Sequence, residues 1–163
     1  MTSLVLPVGE TVRRTTADRE LLLSHVRDAD DLVAPYLVKG GPLGDFCESL
    51  RDLVAHVLMW DEINLAVLAE AEHGRSHWSL TPGWEEPAMG QALNRAGVAA
   101  GREFPVELLV DRFVRVRDAL VAQLSGYTEE EWTGSVGELA QHAMTVPGSD
   151  PYWHAALHLG AVL

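Results

Sequence analysis

Apolar side chains recur along this chain every three to four residues rather than at every second one, and that period is the signature of helices with one buried face. Thr15 followed by Asp18 reads as a capping box, after which Leu22, Val26, Ala29 and Val33 keep helical spacing until Gly40-Gly41. This predicts a first helix over roughly residues 11–36. A second start, Ser49 with Asp52, opens the run LRDLVAHVLMWDEINLAVLAEAE, which meets no Pro or Gly until Gly74 and predicts a long second helix.

The next stretch changes character. Gly74, Pro82-Gly83, Pro87, Gly90, Gly97 and Gly101 follow in quick succession, so residues 73–104 read as a long connection holding a short helix near Met89 to Ala100. Pro105 suits the first turn of a third helix, whose Val106, Leu109, Val110, Phe113, Val116, Leu120 and Leu124 form one stripe opposite Asp111, Arg115 and Asp118. Gly126 ends it. Thr128 with Glu131, and Ser135 with Glu138, are further capping-box patterns that predict two short helical turns. Asp150-Pro151 then fits the N-cap and first position of a fourth helix.

No stretch alternates at the strand period, and no repeat or low-complexity tract interrupts the pattern. The predicted fold is all-α: an antiparallel four-helix bundle with a long crossover between the second and third helices. At 163 residues the chain is one domain's worth of sequence, and 47% hydrophobic against 22% charged residues is a globular composition.

Charge narrows the partners. Twelve basic residues against 24 acidic ones leave a net charge of −12, which disfavours nucleic acid and anionic membrane surfaces, since both are bound mainly through Lys and Arg. All the basic residues but Lys39 are Arg, a skew that a GC-rich coding sequence produces. Cys47 is the single cysteine and has no partner for an internal disulfide, the opening residues do not show a basic n-region followed by an apolar stretch, and charges break every long apolar run. A cytoplasmic protein is the expectation, with a small-molecule substrate and a homodimer as a plausible assembly.

The chemistry concentrates on histidine. His154 and His158 are four apart on the fourth helix, so their rings share a face one turn apart, and His56 lies on the inward side of the second helix among Leu53, Val57, Trp60 and Ile63. Three neutral imidazoles that leave a position open suit a divalent ion such as zinc, nickel or iron. The spacing fits equally well a set of hydrogen-bonded core or surface imidazoles. His73 and His77 share the spacing, but Gly74 and Pro82-Gly83 place them in a loop.

SLRDLVAHVLMWDE, with its serine cap, its acidic residue three later and His56 seven after the cap, resembles the second helix of the DinB/YfiT-like superfamily. PYWHAALHL at 151–159 resembles the His-x-x-x-His helix of the same superfamily. The order, the spacing and the domain size agree, so the resemblance spans the chain as a single domain, 1–163. It implies that His56, His154 and His158 hold a divalent metal. Because several actinobacterial relatives are similar to mycothiol-dependent transferases and isomerases, it also implies a thiol cofactor, mycothiol or another low-molecular-weight thiol. Other relatives resemble self-resistance proteins that sequester or hydrolyse reactive metabolites without a metal. Leu159, Gly160, Ala161, Val162 and Leu163 follow His158 where the superfamily often places a polar residue, and the specific activity of the maleylpyruvate isomerase members, which carry an additional domain, is not expected.

Trp60, one turn after His56, and Trp153, just before His154, are placed to wall an apolar substrate pocket, although core packing explains them too. Asp61 and Glu62 read either as groups that orient His56 or as a solvated helix face. Arg112, Arg115 and Arg117 read either as a grip for a carboxylate or as solvent-facing charges. His142 reads as a surface histidine rather than a proton shuttle. Cys47 precedes the second helix and is poorly placed as a reacting thiol. The expected function is therefore a thiol-dependent, metal-assisted transferase or isomerase. A metal-free protein that captures an electrophile is the alternative, and a structural bundle with incidental histidines is a third possibility.

Overall fold

A computed structural model describes residues 4–26, 32 and 46–161. Most of these residues are helical, and no strand runs among them, as the apolar period predicts. Four long helices carry the chain: α1, Val8–Ser24; α2, Leu50–Glu72; α3, Pro87–Arg102; and α4, Val106–Ser125. Two short ones, α5 (Gly137–Ala143) and α6 (His154–Leu159), follow.

α2 forms as its sequence dictates: the Ser49 side chain accepts the Asp52 amide, and Gly74 beyond the end takes a φ of 67°. The first helix departs from expectation at both ends. It begins at Val8 behind Pro7, so Thr15 and Asp18 are buried mid-helix and form no capping box. It ends at Ser24, where the Ser24 hydroxyl and the His25 ring both bond the Leu21 carbonyl and compete with the backbone ladder for that acceptor. The rest of the predicted first helix, Ala29 and Val33 included, and Gly40-Gly41 lie outside the described residues.

The 73–104 connection is largely helical, with a 3-10 turn at Trp78–Leu80, one α-turn at Pro82–Glu85 and then α3. Its glycines are contact points rather than breakers. A Cβ on Gly101 would lie 2.2 Å from the Cβ of Ala55, and one on Gly97 would lie 2.3 Å from the Met59 sulfur. Small residues four apart thus let α3 press its backbone onto α2. Gly101→Ala should destabilise the fold by about 2 kcal/mol, because two fixed Cβ atoms must separate. At Gly97→Ala the flexible Met59 tip can move and helix propensity gains about 1 kcal/mol, so chemical denaturation should find that variant close to wild type.

Thr128 and Glu131 form the predicted box. Ser135 and Glu138 do not: Trp132–Val136 is a π-turn with Gly134 out of helical geometry, and α5 starts without a side-chain cap. The last helix begins at His154 rather than at Asp150-Pro151, because Tyr152, buried in the core, takes a φ of 68° and turns the chain before the helix can start.

The interior is two apolar blocks. Leu22 near the end of α1 and Val26 just beyond it pack with Leu53, Val54, Val57 and Leu58 from the first half of α2. Val8 and Val12 at the start of α1 pack with Leu65 and Leu68 from the second half, beside Trp132 and Tyr152. Between the blocks the buried faces turn polar, with Thr15, Asp18 and Arg19 on α1, Asp61 and Asn64 on α2, and His154 on α6. Among the described residues, no helix is long and apolar enough to cross a membrane.

Candidate metal centre

The polar layer holds the three histidines singled out above. His56 comes from the second turn of α2, and His154 and His158 come from successive turns of α6. His56 Nε2 lies 3.0 Å from His154 Nε2 and 3.1 Å from His158 Nε2. The ring centroids are 4.8–4.9 Å apart and the rings are steeply inclined to one another, so three ring edges, not faces, meet at the centre. All three are buried, with 2%, 9% and 2% of their surface exposed in chain order. Their ligand atoms lie within 4.8 Å of one another, close enough to bind one metal ion.

This arrangement is awkward for imidazoles alone. His56 Nε2 can donate one proton toward its neighbours, yet the remaining lone pairs then face each other, and His56 Nδ1 is buried with no hydrogen-bond partner among the described residues. A cation at the centre would satisfy all three nitrogens at once.

Burial keeps the rings neutral. Desolvation first, then His158, holds His56 well below the ordinary imidazole value. Desolvation, with His56, His158 and Arg19 nearby, does the same for His154. Desolvation takes His158 down to about 4. Neutral imidazoles are the ligand form. Because these folded-state values lie below the unfolded value of 6.5, protons bind the unfolded chain more tightly, so the metal-free protein should lose stability as pH falls from about 6.5 toward 4. His158 alone contributes up to about 3 kcal/mol over that window. Urea titrations at stepped pH check the slope, and a flat profile would show the rings already charged or exposed.

Sequence reasoning missed the neighbours of this cluster. Arg19, 1% exposed, donates from Nε to Asp61 Oδ2 at 2.8 Å and from Nη2 to Asp61 Oδ1, while its Nη1 meets Asp18. Asp18 in turn accepts the amides of Ala155 at 2.9 Å and Ala156 at 2.7 Å, the first turn of α6. Asp18 therefore does cap a helix, but one that lies elsewhere in the chain. Asp61 is buried rather than on a solvated face, and desolvation pushes its carboxyl up despite the guanidinium. Thr11, Thr15, Asp18 and Leu22, at i, i+4, i+7 and i+11, share the inward stripe of α1, and this positional signal was available in the sequence.

The other candidates have contacts of their own. Trp60 is half-buried and donates its indole N–H to Asn94 on α3 at 2.8 Å. Trp153 is half-buried under the Arg14 guanidinium, 6.0 Å from the ring centroid. A cavity of about 160 Å³ between α2, α3 and α4 is lined by Ala55, Met59, Gly101 and Phe104, with the Glu62–Arg112 ion pair at 2.6 Å on its wall; none of the three histidines lines it. Arg115 pairs with Asp111, and Arg117 with Glu20 and Asp118. His73 and His77 lie outside the cluster; His73 bonds the Ala69 carbonyl and His77 bonds Ser79. His142 is an exposed partner of Glu85 at 2.7 Å. Cys47 is buried, and desolvation lifts its thiol to about 12, which makes it inert. Comparison with protein-family models, curated proteins and solved structures finds no match.

Proposed function

We propose that this protein is a metal-dependent small-molecule enzyme, an antiparallel four-helix bundle of DinB-like type that uses His56, His154 and His158 to hold a divalent zinc, nickel or iron ion. The observation that carries this reading is the approach of the buried His56 Nε2 to His154 Nε2 at 3.0 Å and to His158 Nε2 at 3.1 Å, with the ligand atoms of all three neutral rings within 4.8 Å of one another. His56, His154 and His158 would hold such an ion as neutral nitrogen ligands, and three protein ligands would leave a position open for a ligand from outside. An ion so held supplies Lewis acidity that favours the anionic form of a thiol or water brought beside it.

The chain's own residues fill the remaining roles. The imidazoles stay unprotonated at neutral pH and add no charge, so they offer no competing anion. Cys47, with its thiol held protonated, supplies no nucleophile. The proposed nucleophile is a thiol brought from outside, mycothiol or a similar small thiol, which makes the protein a thiol-dependent transferase or isomerase in this reading. Trp60 and Trp153 are the proposed apolar walls for its substrate.

Metal analysis of protein prepared without a polyhistidine tag tests this. Near-stoichiometric zinc, nickel or iron, together with metal-dependent consumption of a thiol and an electrophile, supports it. Metal-free protein that does not take up added Zn²⁺ or Ni²⁺ sinks it in favour of a binder that captures its electrophile without an ion.

A further inference from the structure

We propose that Arg19 is the positioning residue of the tri-histidine centre, setting through Asp18 and Asp61 the distance between the two helices that carry the ligands. The inference rests on the metal-binding reading above. Two of the three ligands stand on α6, a helix of six residues whose own N-cap residue, Trp153, gives no side-chain bond. A helix that short has no stability of its own, so its place is set by what grips it. It packs mainly on α1 and touches α2 only slightly.

The grip comes from α1. Asp18 takes the Ala155 and Ala156 amides, directly after His154, and fixes the depth and rotation of the turn that presents both α6 rings. Arg19 holds Asp18 on one side and, on the other, clasps both carboxylate oxygens of Asp61. Asp61 stands on α2 little more than a turn beyond His56. One buried guanidinium thus connects the helix of His56 to the helix of His154 and His158. Its planar fork is what allows one side chain to bond two carboxylates in fixed directions, and a lysine ammonium in its place can serve as a point charge only.

Co²⁺ supplied as the metal alone tests this, because its visible spectrum reports the ligand set as well as occupancy. Arg19→Lys and Asp61→Asn should each weaken Co²⁺ binding by about 10- to 100-fold and alter the d–d bands. Arg102→Lys, which disturbs the comparable Arg102–Asp52 pair at the start of α2, should change stability but neither readout. Should Arg19→Lys fail to fold, Asp61→Asn decides, since it keeps the side chain's shape. Wild-type affinity and spectrum in Asp61→Asn and in any folded Arg19→Lys overturn the positioning role, even while wild-type binding upholds the metal reading. A wild-type protein that takes up no Co²⁺ overturns that reading itself.

Discussion

His154→Ala should abolish metal binding, with affinity reduced by more than the ~100-fold reached by losing an outer-shell partner, while far-UV circular dichroism stays close to wild type. The reason is geometric. His154 Nε2 is one of three nitrogens that meet around a single point, and its removal leaves two ligands on two different helices. The core does not depend on it: the apolar blocks around Leu53 and Phe113 and around Trp132 and Leu120 are built from other side chains. His73→Ala and His77→Ala, which share the i, i+4 spacing but lie outside the cluster, should retain full occupancy. Equilibrium dialysis against Zn²⁺ separates these outcomes, and full occupancy in His154→Ala would dismantle the ligand assignment.

Asp18→Ala should be strongly destabilising. It strips a buried guanidinium of one of its two counter-charges and leaves the Ala155 and Ala156 amides without acceptors. Breaking one side of a buried ionic network costs about 3–5 kcal/mol. At about 2–4 °C per kcal/mol for a chain of this size, calorimetry should show the melting temperature lowered by about 10 °C. A shift of only a degree or two would show that solvent reaches Arg19 and compensates.

The helices with a continuous apolar stripe, α2 and α4, were legible because burial of one face dictates both their period and their caps: Ser49, Gly74 and Gly126 all stand at ends. His154 and His158 were legible for the same reason, since a helical period converts sequence spacing into a shared face, and His56 was legible from its inward place among Leu53, Val57 and Trp60 and from the resemblance. What was hidden depends on contacts between distant segments. The glycines of α3 look like breakers until Ala55 and Met59 are seen opposite them. Thr15 and Asp18 look like a capping box because the residue types are right, yet the helix that Asp18 caps begins at His154, far along the chain. No local pattern encodes that pairing, and none encodes the Arg19–Asp61 clasp, which joins residues 42 positions apart.

The backbone notch at Gly101 has a bearing on how the centre is held. Ala55, the residue pressed against that glycine, immediately precedes His56, so the peptide that carries this ligand is clamped from behind by a whole neighbouring helix. His154 and His158 have only a turn and a half of helix beneath them. The two sides of the centre are therefore held unequally: one imidazole rides on a long helix braced by its neighbour, and the other two depend on the grip of Asp18 on a single short turn.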